Sequence, residues 1–326
     1  MSVIVIVNPR SRANLRDQGI ADRLAAAVGS AGRVLLPQSL EEMAAAARDL
    51  AKDPPQALAI HGGDGTLHKT LTAFVRAWEG RPLPPIAILA GGTMNVVASS
   101  LKLRAKSEAV VSEMAEHVRA GRPLATVERR CLRVGNDFGF VFGNGLMANF
   151  LEEYYAAKKY GARRALWLLF RTFCSALVRG HFARRIFRRF EGKVIVDQQP
   201  LPWQRLTGVG AATVREVGLG FKLNHRADDD LARFGALAIH AGPVALSRDL
   251  WAVHKGRGIS ARRAWSGVAS SMLVEPANGQ NVYTIDGDLY RQAGTLELGL
   301  GPQVRFFKPG FSGRAGIDSP RGDELR

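Results

Sequence analysis

Apolar residues in the first hundred positions fall into short continuous runs separated by helical patterns. Residues 3–7 (Val-Ile-Val-Ile-Val) form one run, followed by an amphipathic stretch at 21–28, a second run at 33–36 and an alanine-rich stretch at 40–50. Ser39 opens that stretch with Glu42 three residues on, the spacing of a capping box. Further runs at 57–61 and 85–89 alternate with helical patterns at 67–78 and from about 94. Strands alternating with helices predict right-handed crossovers, hence an α/β domain with a doubly wound, mainly parallel sheet over residues 1–122.

After that the texture changes. Shorter runs at 131–134, 138–142, 194–196, 208–214 and 282–285, separated by Gly, Asn and Asp, predict a β-sandwich-like second domain over 123–308. One helical segment interrupts it at about 150–190, and residues 309–326, rich in Gly, Ser, Pro and charge, read as a disordered tail.

Charge narrows the partners: 45 Lys and Arg against 29 Asp and Glu give +16, which favours polyanions such as anionic lipid headgroups or phosphorylated substrates. No recognised nucleic-acid-binding module accompanies that charge, so a nucleic-acid role is not expected. The two cysteines, Cys131 and Cys174, have neither disulfide-framework nor zinc spacing and fit a reducing cytoplasm. The first run leads straight into Asn8-Pro9 without the basic start of a signal peptide, and no stretch approaches the roughly 18 apolar residues of a spanning helix. Membrane contact is therefore expected to be peripheral, from the cytoplasmic side.

Candidate chemistry lies in Gly62-Gly63-Asp64-Gly65-Thr66, directly after a predicted strand and before a predicted helix. Glycines allow close backbone approach to an anion, and the helix start offers unpaired N–H groups and the positive end of its dipole. The loop is neither a P-loop, since His68 and not Gly precedes Lys69-Thr70, nor a dinucleotide fingerprint, which needs a third glycine at its own spacing. Gly91-Gly92-Thr93-Met94-Asn95 repeats the logic one strand later, so the two loops should flank one crevice at the carboxyl ends of the strands. Near the far end, Asp286-Gly287-Asp288 offers carboxylates for general-base work, although Asp-Gly is also a common hairpin turn.

Asn8-Pro9, the two glycine loops and the late Asp-Gly-Asp stand in an order that resembles the diacylglycerol kinase catalytic-domain family, which includes bacterial soluble lipid kinases and the sphingosine and ceramide kinases. The resemblance spans about residues 2–308. It implies a nucleotide-binding α/β first domain beside a β-sandwich-like second one, in an ATP- and Mg²⁺-dependent lipid kinase acting on a diacylglycerol-like or sphingoid hydroxyl. Asn8, Gly62, Gly63, Asp64, Gly65, Thr66, Gly91, Gly92, Thr93 and Asn95 would then contact nucleotide, with Asp286 or Asp288 as the base. The family usually reads Asp-Gly-Glu at that last motif, so the second acid here is a methylene shorter. The family's structural magnesium motif has its nearest counterpart in Asp228, Asp229 and Asp230, where the following sequence departs from the pattern. Two other readings stay open: an NAD kinase, which shares the first loop, and a non-catalytic lipid-binding module descended from a kinase.

Residues 158–189 hold ten Lys or Arg and no acid, interleaved with Leu166, Trp167, Leu169, Phe170, Phe173, Leu177 and Phe182. A basic, aromatic, amphipathic helix suits an anionic membrane surface, and it also suits a helix packed on the sandwich with a solvated face.

Overall fold

The computed structural model describes residues 2–92, 94–156, 161–177, 180–218 and 221–310. Its first domain runs β1 (Val3–Val7), α1 (Arg12–Arg16), α2 (Ile20–Val28), β2 (Gly32–Leu35), α3 (Leu40–Lys52), β3 (Ala57–Gly62), α4 (Asp64–Trp78), β4 (Ile86–Ala90), α5 (Val96–Ser100) and α6 (Ser107–Arg119). The four strands are parallel in the order β4-β3-β1-β2. Alternation along β1 divides it between two layers. Ile4 and Ile6 pack with Met43, Leu50, Leu71 and Phe74 of α3 and α4, whereas Val3, Val5 and Val7 pack with Leu24 of α2 and Met114 of α6. A strand covered on both faces has no polar side, which is why it reads as one continuous apolar run. The Ser39 hydroxyl accepts from the Glu42 N–H at 3.2 Å as expected, but the Glu42 carboxylate accepts from Gln38 N–H, one residue before the cap.

The second domain contains β5 (Thr126–Val134), β6 (Asp137–Gly139), β7 (Val141–Gly145), α7 (Leu146–Tyr155), α8 (Ala162–Leu177), α9 (His181–Ile186), β8 (Phe190–Val196), β9 (Gln199–Pro200), β10 (Arg205–Leu206), β11 (Gly208–Ala212), β12 (Phe234–Ile239), α10 (Pro243–Ser247), α11 (Leu250–His254), β13 (Ala264–Ala269), β14 (Ser271–Pro276), β15 (Gln280–Ile285), β16 (Asp288–Ala293) and β17 (Leu296–Phe307). An antiparallel six-stranded sheet, β13-β12-β11-β7-β15-β16, packs Phe142, Phe234 and Tyr283 against Leu132, Val194, Met272 and Leu298 of β5, β8, β14 and β17. This is the sandwich the sequence predicted. The sheet on its other side is not separate from the first domain: β17 runs on until Phe306 pairs in parallel with Ile86 of β4, so one eleven-stranded sheet joins both domains.

The helical interruption is three helices. On α8, Ala165 and Leu168 pack against Leu151 and Tyr154 of α7, while Leu166 and Phe170 stay 60% and 67% exposed. Leu166 and Phe170 are therefore not on the packed face. Lys158, Lys159, Arg179, the side chains of Phe173 and Leu177, and residues 311–326 of the expected tail lie outside the described residues.

At Asp228, Asp229 and Asp230, the nearest counterpart of the family's magnesium motif, each carboxylate is paired with arginine. Asp228 lies between Arg129 and Arg215 at 2.9 and 2.8 Å, Asp229 pairs with Arg226 at 2.8 Å, and Asp230 pairs with Arg233 at 2.7 Å. Each carboxylate turns to its own guanidinium, so the three do not converge on one point. Among the described residues no group of three or more His, Cys, Asp or Glu is placed to hold a metal ion.

Candidate active site

Strand β1 has β2 on one side and β3 on the other, so the chain reverses its winding direction at the carboxyl end of β1, where α/β sheets open a crevice. Asn8 stands there, and its Nδ2 donates to Thr66 Oγ1 at 2.9 Å. Helix α4 starts at Asp64, so the second half of the first glycine loop is already its first turn. The two loops touch: Gly91 N–H donates to Gly62 O at 3.0 Å, and a Cβ on Gly92 would stand 2.4 Å from Gly63 Cα. Gly92 could not carry a side chain without parting the loops. Asn95, left-handed at φ 46°, closes the second loop, accepting from Gly92 N–H and donating to Gly92 O, both at 3.0 Å.

Asn8, Gly63, Asp64, Gly65, Thr66, Gly91 and Gly92 all line one cavity of about 760 Å³; Gly62 and Asn95 shape its wall from behind, and Thr93 lies outside the described residues. Desolvation pushes the Asp64 carboxyl up to about 6, opposed by backbone N–H groups at the start of α5, among them Val97.

Asp286-Gly287 is the hairpin turn between β15 and β16, with φ 47° and 88°, and Ile285 pairs with Asp288 across it. It is also part of the cavity wall, so the turn and the site coincide. The two acids differ in kind. Asp286 is buried; both carboxylate oxygens accept from Phe140 N–H, and Oδ1 also accepts from Val141 N–H at 2.8 Å. Burial, then the nearby Asp64 charge, raises its carboxyl well above the usual range. Asp288 is more open, lies 3.0 Å from Lys69 Nζ, and faces Gly65 so closely that a Cβ there would come within 2.8 Å of its carboxylate.

Sequence reasoning missed several neighbours. Lys69 carried no signature, because its meaning comes only from Asp288. His68 is buried; its Nδ1 donates to Phe138 O at 2.7 Å, so Nε2 accepts from Tyr290 OH at 2.6 Å. Tyr155 OH, at the end of α7, donates to Gly287 O at 2.8 Å and ties that helix to the turn. Past Asp288 the cavity becomes an apolar chamber walled by Met147 and Leu151 of α7, Leu169 of α8, and Leu246, Leu250 and Val253 of α10 and α11. Cys131 takes no part: burial pushes its thiol up to about 12.

Residues 2–124 match the family model described as "Diacylglycerol kinase catalytic domain". No curated protein matches the sequence. In fold, the chain is similar to the crystal structure of a diacylglycerol kinase from Bacillus anthracis, at TM-score 0.61 and 14% identity over 95% of this chain and 97% of that one. Two further Bacillus anthracis proteins, provisionally named diacylglycerol kinases, give TM-score 0.66 at 14% and 15% identity; they cover 95% and 94% of this chain and are themselves covered to 95% and 97%. The resemblance read from the motifs is thereby borne out: the sequence over residues 2–124 matches the diacylglycerol kinase catalytic domain, and the two-domain fold is shared nearly end to end with these structures.

Proposed function

We propose that the protein is an ATP-dependent lipid kinase that transfers the γ-phosphoryl group to the hydroxyl of a diacylglycerol-like or sphingoid lipid. The observation that carries this reading is the single cavity joining the paired glycine loops to an apolar chamber, with Asp288 at the junction. The loops and the α4 N-terminus cradle phosphates through backbone N–H groups. Magnesium arriving on phosphates needs only one or two protein carboxylates; Asp64 lines the cavity beside the loops and would supply one. The ion would neutralise charge on the phosphates. Asp288 takes the proton of the lipid hydroxyl, while Asp286, its oxygens already held by Phe140 and Val141, keeps the turn in place.

Turnover of ATP with a panel of diacylglycerols, monoacylglycerols, sphingosine, ceramide and undecaprenol tests the reading. Asp288→Asn should lower kcat by about 100- to 10,000-fold and leave nucleotide affinity nearly unchanged. Near-normal turnover by that variant would remove Asp288 from the chemistry, and phosphorylation of NAD but of no lipid alcohol would replace the lipid reading altogether.

An anionic bilayer is the surface from which such a substrate is drawn. Leu166, Trp167 and Phe170 of α8, together with Val244, Leu250 and Trp251 of α10 and α11, are exposed on the helices that wall the apolar chamber. Arg164 and Arg171 lie over the Trp167 ring and Lys255 over Trp251, so apolar anchors and positive charge occur together. Among the described residues no helix is long and apolar enough to cross a membrane.

A further inference from the structure

Charge inside the cavity contrasts with charge on the whole chain. Net charge is +16, yet the described residues lining the cavity include three carboxylates, Asp64, Asp286 and Asp288, and only two permanent cations, Arg10 and Lys69. A triphosphate entering this space meets carboxylates of its own sign, so the placement of the two cations matters. Arg10 lies at the β1 end, where its backbone N–H donates to Asn8 Oδ1. Lys69 is the cation on the side of the Asp-Gly-Asp turn.

Its position is specific. Lys69 is in the second turn of α4, the helix whose first turn completes the glycine loop. Its Nζ is 3.0 Å from Asp288 Oδ2, and the Asp288 carboxylate lies over Gly65 in that first turn. The ammonium group thus stands between the loop that receives phosphates and the acid that receives the acceptor hydroxyl. As a half-exposed ion pair it contributes little to stability, so folding alone does not account for a lysine here. An ammonium group has three donors on a flexible stem and can hold Asp288 while donating to a phosphoryl oxygen.

We propose that Lys69 is a catalytic residue of this reaction, contacting the transferred phosphoryl group while fixing the Asp288 carboxylate toward the acceptor hydroxyl; the proposal rests on the kinase reading above. In the step, the lipid oxygen forms its bond to the γ-phosphorus as the bond from that phosphorus to the β–γ bridging oxygen breaks. The electron pair of the broken bond leaves with the nucleoside diphosphate, and the hydroxyl proton goes to Asp288. Lys69 stays protonated throughout and offsets charge on the phosphoryl oxygens, a contribution that preorganised cations make in water-poor sites.

The test separates nucleotide binding from turnover. Calorimetry without lipid measures the affinity of the wild type, Lys69→Met and Lys69→Arg for ADP and for a non-hydrolysable ATP analogue, each with Mg²⁺. Loss of a charge-assisted contact to the γ-phosphoryl group should weaken the analogue about tenfold or more in Lys69→Met while ADP stays within about twofold. Turnover on the lipid should fall about 100-fold or more. Lys69→Arg should keep most of the preference for the analogue. Equal effects on both nucleotides, or wild-type turnover in Lys69→Met, would overturn the role of Lys69 while wild-type kinase activity leaves the wider reading standing. A wild type that binds neither nucleotide would overturn both.

Discussion

A backbone carbonyl holds one ring nitrogen of buried His68 and the Tyr290 hydroxyl the other. Burial lowers its pKa, against opposing pulls from the Phe138 carbonyl, Asp288 and Asp137, and with a small push from Lys69 in the same direction as burial. His61, on β3 beside the first loop, is lowered by burial too. A histidine whose folded pKa is depressed takes up its proton more readily when unfolded, so its stabilising contribution is present above the ordinary value near 6.5 and is lost as pH falls below it. The histidines' share of the melting temperature should therefore decline between about pH 7.5 and 5.5, while the raised carboxyls of Asp64 and Asp286 act in the opposite sense. His68→Gln, which keeps a donor for Phe138, should be less stable at the upper pH yet show a shallower decline; parallel curves would place the pH sensitivity elsewhere. At this scale the glycines were legible and their partners were not. A residue that must lack a side chain announces itself in sequence, as Gly92 does by touching Gly63. Lys69 acquires its meaning from an aspartate that the chain delivers only near the end of the second domain.

The elements divide along the same line. Strands β1, β3 and β4 were readable because burial on both faces leaves a plain local pattern. The pairing of Asp228 was not readable, because one of its two partners, Arg129, lies 99 positions away. Helix α8 was readable as a helix but not in orientation: small Ala165 and central Leu168 face α7, leaving the larger Leu166 and Phe170 outside. That outward face carries a prediction. Burying two such side chains in a bilayer surface contributes about 1 kcal/mol or more each, so Leu166→Ser with Phe170→Ser should weaken binding to anionic vesicles by about tenfold or more. Thermal stability should change little, since neither side chain is packed. Binding that survives this pair unchanged, at low and at high salt, would leave α8 as a solvated face.

At the scale of the molecule, β17 is the joint. Its first half belongs to the sandwich through Leu296 and Leu298, and its last residues put Phe306 into the core of the first domain beside Ile86, Phe74 and Phe140. Replacing Phe306 with Ala removes a fully buried ring at that joint and should cost about 3–5 kcal/mol. Because the ring belongs to a sheet common to both domains, urea unfolding should remain one transition with a lower midpoint; two separated transitions would show that the domains melt independently. The joint also bears on how the chain is made. Arg305 donates to the carbonyl of Leu83 across 222 residues of sequence. The edge of the glycine-loop sheet is thus closed by a strand made 222 residues later. Until then β4 presents an unpaired edge, and the half of the molecule that carries the glycine loops must wait, open to wrong partners, for the second domain to be synthesised.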